Sequence, residues 1–348
     1  MSGDLASLCP SCFVEHWPPA LMTVPISIII VNYNSGDRLQ KCLAALSAQT
    51  YRDFEVIVVD NNSSDHSLDV DAVDGVDFKI LPMAENIGFA AANNRAAEQA
   101  VGEWLAFLNP DAYAMPDWLE AFVAGVERHP GVDAFGSLQL NAKDPSLIDG
   151  AGDVYFAAGI SYRGHFNRRV ETAPPEGECF APCAAAAFYR KQTFDELGGF
   201  EEKFFCYSED VDLAFRLRLR GGRAIQLRDA VVHHEGSGIT AQISGFSIYH
   251  GHRNRLWTYF RNMPLPLLIL TAPFQLLMSL CLIPIFAMKG CGLAYLRAVR
   301  DGISGLPQSL RERAHIQSSR KAPVVTIAQA ITWSPILFLQ RSANVVTD

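Results

Sequence analysis

No glycine-rich phosphate loop follows the first strand of this 348-residue chain. Neither G-x-G-x-x-G nor G-x-x-x-x-G-K-[ST] occurs there, which excludes a Rossmann dinucleotide site and a P-loop. Charge is sparse, at 19% of residues against 49% hydrophobic, a globular composition with an apolar excess and enough length for one large or two moderate domains. Acidic residues are nearly missing from the C-terminal part: residues 250–348 hold 3 acidic and 11 basic side chains, whereas residues 1–249 hold 34 and 18. That sets +8 against −16, so the tail is a different object from what precedes it. The eight cysteines are scattered and no secretory leader precedes them, so reduced thiols in a cytoplasmic setting are expected rather than a disulfide framework. Cys9-Pro-Ser-Cys12 has the spacing of a zinc knuckle, but no second pair follows at a matching interval. Residues 1–22 lack periodicity and are expected to be a disordered extension ahead of Met22-Thr-Val-Pro25.

The sequence does hold a series of apolar runs that stop abruptly at oxygen-bearing side chains. Trp104-Leu-Ala-Phe-Leu108 reads as a fully buried strand that ends at Asn109-Pro110-Asp111, since Pro110 has no N–H to continue a ladder. Pro25–Val31 ends in the same way at Asn32-Tyr-Asn34, and Phe54–Val59 at Asp60-Asn-Asn-Ser. A third short strand near Val76–Leu81 leads to Asn86-Ile-Gly88-Phe89 and an Ala-rich helix running to about Ala100. Strands alternating with single helices predict parallel βαβ units covered on both faces, with the three polar strand ends converging on one crevice. A carboxylate beside a carbonyl there suits a hard divalent ion; Asn-Pro-Asp is equally ordinary turn chemistry, and Asp60 equally an ordinary cap.

Farther along, Pro116–His129 is predicted to be a helix and Val132–Leu140 a strand, while Asp149–His165 reads as an irregular loop over a site. Pro182–Ala187 gathers small residues that permit a close approach of backbone or ligand. Phe204–Arg216 joins an aromatic wall to Ser208-Glu209-Asp210-Val-Asp212. Ser208 is a good N-cap and the acids suit a helix start; alternatively the aromatic wall desolvates one carboxylate and makes it a base. Arg223–Leu227 and Ala230–Val232 are predicted strands ending at His233-His234, which offers one imidazole to each face.

Taken in order, Val31-Asn-Tyr-Asn-Ser, Val59-Asp-Asn-Asn-Ser, Glu85-Asn-Ile-Gly-Phe-Ala, Asn109-Pro-Asp, Gly198-Gly-Phe and Phe205-Cys-Tyr-Ser-Glu-Asp-Val-Asp-Leu-Ala-Phe-Arg216 resemble the inverting family 2 glycosyltransferases of the GT-A fold. Within that family the likeness is to bacterial rhamnosyltransferase-type enzymes, over residues 24 to 260. The resemblance implies an α/β fold with a mostly parallel central sheet and helices on both faces. It implies Mg²⁺ or Mn²⁺ held at Asp111 and Asn109, with Asn109 replacing the first Asp of the family's D-x-D, and with His233 or His234 as a late metal ligand. Asp60, Asn32 and Asn34 would hold base and ribose, and Asn86, Gly88 and Asn94 match a stretch beside the nucleotide. Asp210 would be the catalytic base, with Glu209 orienting it or the acceptor; Arg253 and Asn254 are further candidates at the donor diphosphate. Ala184 departs from the Gly that relatives often carry, and no Q-x-x-R-W follows, which favours transfer of a single sugar. The implied partners are a nucleotide-diphosphate sugar and a lipid-linked saccharide, with rhamnose from dTDP-rhamnose the best guess; UDP-galactose, UDP-N-acetylglucosamine or a non-catalytic sugar-nucleotide binder are the alternatives. No nucleic acid is expected among them.

The domains expected are the extension, a catalytic domain over 23–250 and a basic, apolar helical region over 251–348. Asn262–Met288 is uncharged over a length that would span a bilayer, yet Pro264, Pro266, Pro273 and Pro284 are expected to interrupt a helix there. A segment lying against an anionic membrane on the cytoplasmic face of the bacterial inner membrane is the resulting expectation, with a helical subdomain packed on the core as the other reading.

Overall fold

The protein is described by a computed structural model over residues 24–70, 73, 75–236 and 244–347. The predicted extension and the Cys9–Cys12 pair lie outside the described residues.

Three layers follow from strands that are apolar on both faces. In β1 (Ile26–Asn32), β2 (Phe54–Asp60) and the strand Trp104–Leu108, alternate side chains enter two separate cores. Ile26, Ile28, Ile30, Val56, Val58, Trp104 and Ala106 meet helices α1 (Arg38–Ser47) and Trp118–Arg128 on one side; Ile29, Val31, Ile57, Val59, Leu105 and Phe107 meet Gly88–Ala97 on the other. Completing the count, β3 is Phe78–Pro82, α2 is Gly88–Ala97, β4 is Trp104–Leu108, β5 is Ala112–Ala114 and α3 is Trp118–Arg128. The pairs β1–β2, β2–β3 and β1–β4 are parallel, and Asn32 lies opposite Asp60, so the predicted strand ends share one edge of the sheet.

Past β4 the sheet is mixed rather than parallel. After β6 (Ala134–Asn141) and β7 (Ile148–Gly150), the segment predicted to be an irregular loop forms a hairpin, β8 (Asp153–Phe156) with β9 (Ile160–Arg163). Gly152 and Gly159 take positive φ at its base and tip, which explains the glycine-rich composition without an open loop. Next come β10 (Gly177–Cys179), β11 (Ala186–Arg190), α4 (Lys191–Leu197), α5 (Glu209–Leu219) and β12 (Ala224–His234). The main order is β10-β12-β6-β11-β4-β1-β2-β3, with β11 antiparallel to both β4 and β6. The two strands predicted at 223–232 are one, with a register shift between Gln226 and Val231. Because β12 runs parallel to β6 and antiparallel to β5, His234 finishes opposite Ala112 at the same sheet edge as Asn109–Asp111.

Gly88 opens α2 at φ +86°, and a Cβ there would lie 2.5 Å from the Phe205 ring and 2.7 Å from its carbonyl. Gly88→Ala is therefore expected to destabilise the fold by roughly 2–4 kcal/mol through combined strain and overlap, measurable by chemical denaturation. An unchanged midpoint would show that the helix start yields freely.

The remaining helices are α6 (Ser244–Asn262), α7 (Leu265–Met288), α8 (Gly292–Ser304), α9 (Leu306–Ser318), α10 (Val324–Ala330) and α11 (Pro335–Leu339). They share a third core with the sheet domain: Tyr259, Met263, Ile316, Ile327 and Ile331 pack with Tyr155, Phe180, Val211 and Phe215. Contrary to expectation, the prolines do not interrupt α7. Pro266 sits in the first turn, where its missing N–H costs nothing, and Pro273 and Pro284 each remove one bond of the ladder, freeing the carbonyls of Ile269 and Leu280 on the exposed side. Among the described residues α7 is the one helix long and apolar enough to cross a membrane, and 11% of its most apolar stretch is buried.

Candidate active site

At the carboxyl edge, Asp60 is held by β2 and accepts from the Ser63 N–H, while Asn32 is fully buried and donates to Asp60, Ser63 and Ser67. Asn32 therefore shapes the Asp60 loop from beneath, and its own amide is consumed. Asn34 sits at φ +48° and accepts from the Ser64 N–H at 2.8 Å, tying the two strand-end loops together. Asn86 accepts from the Asn61 amide and the Gly88 N–H. Asn94 reaches away from this crevice: it brackets Phe200, donating to its carbonyl and accepting from its N–H, both at 2.9 Å. Its placement is that of a clamp between α2 and the turn ahead of α5.

Asp111 is buried, and His234 Nε2 lies 3.3 Å from its Oδ1 at an angle that leaves the ring nitrogen without a hydrogen-bond partner. The other ring nitrogen donates to Asp149 Oδ2 at 2.8 Å, which fixes tautomer and orientation, and Arg163 pairs with the same carboxylate. Burial alone would lower the His234 pKa, but the two carboxylates raise it to about 9, so a cation at Nε2 would have to displace a proton there. For Asp111 burial pushes upward and is outweighed by His234 and Arg38, so the carboxylate sits below its usual range. His233 points to the opposite face of β12, by strand alternation, and is not brought to Asp111. Asn109 adds a buried amide oxygen with no partner. An orphaned imidazole nitrogen, a carboxylate and an orphaned carbonyl, with an Asp149 carboxylate behind the imidazole, are a donor set that fits a divalent cation. Glu235 closes this side: its N–H donates to the Asp111 carbonyl, and its carboxylate accepts from Arg38 and Tyr113.

Asp210 stands on the first turn of α5. Its Oδ2 accepts from the Ala184 N–H at 3.1 Å and its Oδ1 from the Val211 N–H at 2.8 Å. One residue on, the Ala185 carbonyl accepts from the Asn109 N–H at 3.0 Å, so one loop holds both acid-bearing segments. Burial raises the Asp210 pKa against those two N–H bonds. Burial, with the Asp210 carboxylate beside it, raises the Glu209 pKa well above the usual carboxylate range, and its Oε2 has no partner.

The predicted Ser208 cap is absent. Phe205, Tyr207 and Ser208 all adopt left-handed backbone, with φ of +65°, +71° and +68°, and no cap bond forms. What retains this strained turn is Asn254, fully buried in α6, whose amide donates to the carbonyls of Phe204, Cys206 and Tyr207 at 2.8–2.9 Å. Arg253 donates to the carbonyls of Lys203 and Phe204 and stacks on Trp257 at 4.5 Å, so its guanidinium is engaged in the same clamp. Asn254, expected with Arg253 at the donor diphosphate, instead spends its amide on this turn. Asp149 and Arg163 were not singled out from sequence; carboxylates in a glycine-rich stretch were the one available signal.

Asp149→Ala is expected to weaken divalent-ion binding about 10- to 100-fold, read by Mn²⁺ titration without substrate. Equal affinity in the variant would remove Asp149 from the site.

Residues 27–198 match Glycosyl transferase family 2. An N-acetylglucosaminyl-diphospho-decaprenol L-rhamnosyltransferase of Mycobacterium tuberculosis is 29% identical over 240 residues, which cover 62% of this chain and 77% of that one. An O-antigen biosynthesis protein, RfbC, of Myxococcus xanthus is 32% identical over 254 residues, 68% of this chain and 19% of that one. Among solved structures, a mannosyltransferase from Pyrobaculum calidifontis in complex with GDP-Man and Mn²⁺ superposes with a TM-score of 0.52 at 18% identity, covering 85% of this chain and 86% of that one. The sheet order, the acid-bearing edge and these likenesses agree: residues 27–198 form a glycosyl transferase family 2 domain, and the chain has the GT-A fold.

Proposed function

We propose that the protein is an inverting, divalent-metal-dependent glycosyltransferase that moves one sugar, rhamnose from dTDP-rhamnose, onto a lipid-linked saccharide in bacterial surface-glycan synthesis. The observation that supports the reading is the loop at residues 184–185, which bonds both to the Asp210 carboxylate and to the backbone of Asn109, two residues from Asp111. The named activity of the mycobacterial relative supports the sugar and the acceptor class.

Asp60 and the loops around it, Asn34 and Asn86 included, would receive base and ribose. Asp111, His234 and Asn109 would hold Mg²⁺ or Mn²⁺, as the Mn²⁺ in the named mannosyltransferase supports. A divalent ion there supplies charge neutralisation for a departing diphosphate. Asp210 takes the proton of the acceptor hydroxyl, whose oxygen attacks the anomeric carbon on the face opposite the leaving group, and the configuration inverts. Burial favours the neutral form of Glu209, immediately adjacent, which keeps a second negative charge away from the base.

Calorimetry with dTDP, UDP and GDP, each with and without Mn²⁺, tests the donor. Tightest binding of dTDP with Mn²⁺ is expected; preference for UDP would replace the donor, and no nucleotide binding would remove catalysis from the reading.

The exposed side of α7 is proposed to lie in the cytoplasmic leaflet. Leu270, Phe274 and Leu277 recur at helical spacing and are each more than half exposed, and the tail carries the chain's excess of basic residues. Changing these three to Glu is expected to release the protein from anionic vesicles in a flotation assay, with its melting temperature retained. Continued co-flotation would place the membrane contact elsewhere.

A further inference from the structure

Asp153 is a buried acid that the mechanism above leaves unused. It starts β8 and is bolted to the small-residue loop by reciprocal backbone bonds with Ala181. Its carboxylate oxygen, the Cys183 thiol and an Asp210 oxygen all lie within 4.8 Å of one another. Asp153 forms the floor of this cluster, 7% exposed, while Cys183 and Asp210 are partly open above it. Asp153 Oδ1 has no hydrogen-bond partner. A buried carboxylate oxygen without one costs about 1–3 kcal/mol or more, so it marks a place where a polar ligand group belongs. Arg163, its register partner across the hairpin, spends its guanidinium on Asp149.

We propose that Asp153 binds the acceptor sugar, receiving the hydroxyl next to the one that Asp210 deprotonates, so that the site selects a sugar with two free hydroxyls on neighbouring carbons. The inference rests on the glycosyl transfer proposed above and deepens it. Two carboxyl groups separated by less than 4.8 Å face the two oxygens of such a pair, one acting as base and the other fixing the ring so that the attacking oxygen is aimed. No proton leaves the second hydroxyl and no bond to it changes.

The test uses the full chain in detergent with Mn²⁺, dTDP-rhamnose and polyprenyl-diphosphate-linked N-acetylglucosamine, together with its 3-deoxy and 4-deoxy forms. One deoxy form lacks the nucleophile and is inert. The other is expected to lose about 10- to 100-fold in acceptor kcat/KM with the wild-type enzyme. Asp153→Ala should lose a similar factor with the intact acceptor and nothing further with that deoxy form, while dTDP binding by calorimetry stays unchanged. Asp153→Asn keeps the shape of the side chain and should show the same non-additivity with a smaller loss, which separates binding from misfolding. Equal losses on deoxygenation in wild type and both variants overturn the assignment of Asp153 alone. No transfer by the wild type to this acceptor overturns the parent reading and the Asp153 assignment with it.

Discussion

Asp210→Asn is expected to lower sugar transfer by about 10²- to 10⁴-fold, the range that a general base contributes, while the donor nucleotide binds as before. The change is isosteric and keeps one carbonyl oxygen to accept from the Ala184 or Val211 N–H, so the loop geometry that holds residue 210 should survive. It also removes the smaller of two influences that raise the Glu209 pKa, the larger being burial. Glu209 is a poor substitute as a base, because it is the more deeply buried of the two. Transfer rate and nucleotide affinity measured on the same preparation check this: near-normal transfer with an intact fold would mean that another group is the base.

Asp111→Ala is expected to be comparably severe and to fail at a different step. Without that carboxylate the His234–Asn109 pair offers no anionic oxygen, and the Mn²⁺-dependent part of nucleotide binding should vanish in calorimetry. Transfer should fall by roughly 10²- to 10³-fold, corresponding to a few kcal/mol of lost transition-state stabilisation. His234 would be left buried with one carboxylate instead of two, so some loss of stability is expected, and His234→Gln serves as the companion variant that spares Asp111. Mn²⁺-stimulated nucleotide binding that persists in both variants would exclude this end of the crevice as the cation site.

Much of the sheet edge could be read from sequence because abrupt transitions from apolar to polar residues are a local signal. Asn32, Asp60 and Asn109 each terminate a run whose burial needs no partner information, and parallel βαβ connection brings such ends together. The direction of β11 could not be read in the same way. An apolar run has the same pattern in either sense, so the mixed half of the sheet emerges only from pairing. Which of His233 and His234 lies beside Asp111 depends on the register of β12 against β5, a long-range fact of the same kind. Ser208 misled because Ser before three acids satisfies local capping rules, whereas the actual turn is held from 47 residues away by Asn254. Proline in α7 misled in the opposite sense: local rules forbid it, and an uninterrupted helix forms nonetheless.

The Ala184 departure from the family's Gly loses its force once the atoms are considered. What residue 184 gives Asp210 is its main-chain N–H, and its backbone is not in the left-handed region, so a methyl group there changes neither the donor nor the torsion it requires. The same short span works as a ruler with one mark for each reactant. Lengthening it by a single residue would move one mark by about 3.3 Å relative to the other, more than an in-line displacement tolerates. The length of that span therefore constrains the site independently of the N–H group that residue 184 supplies.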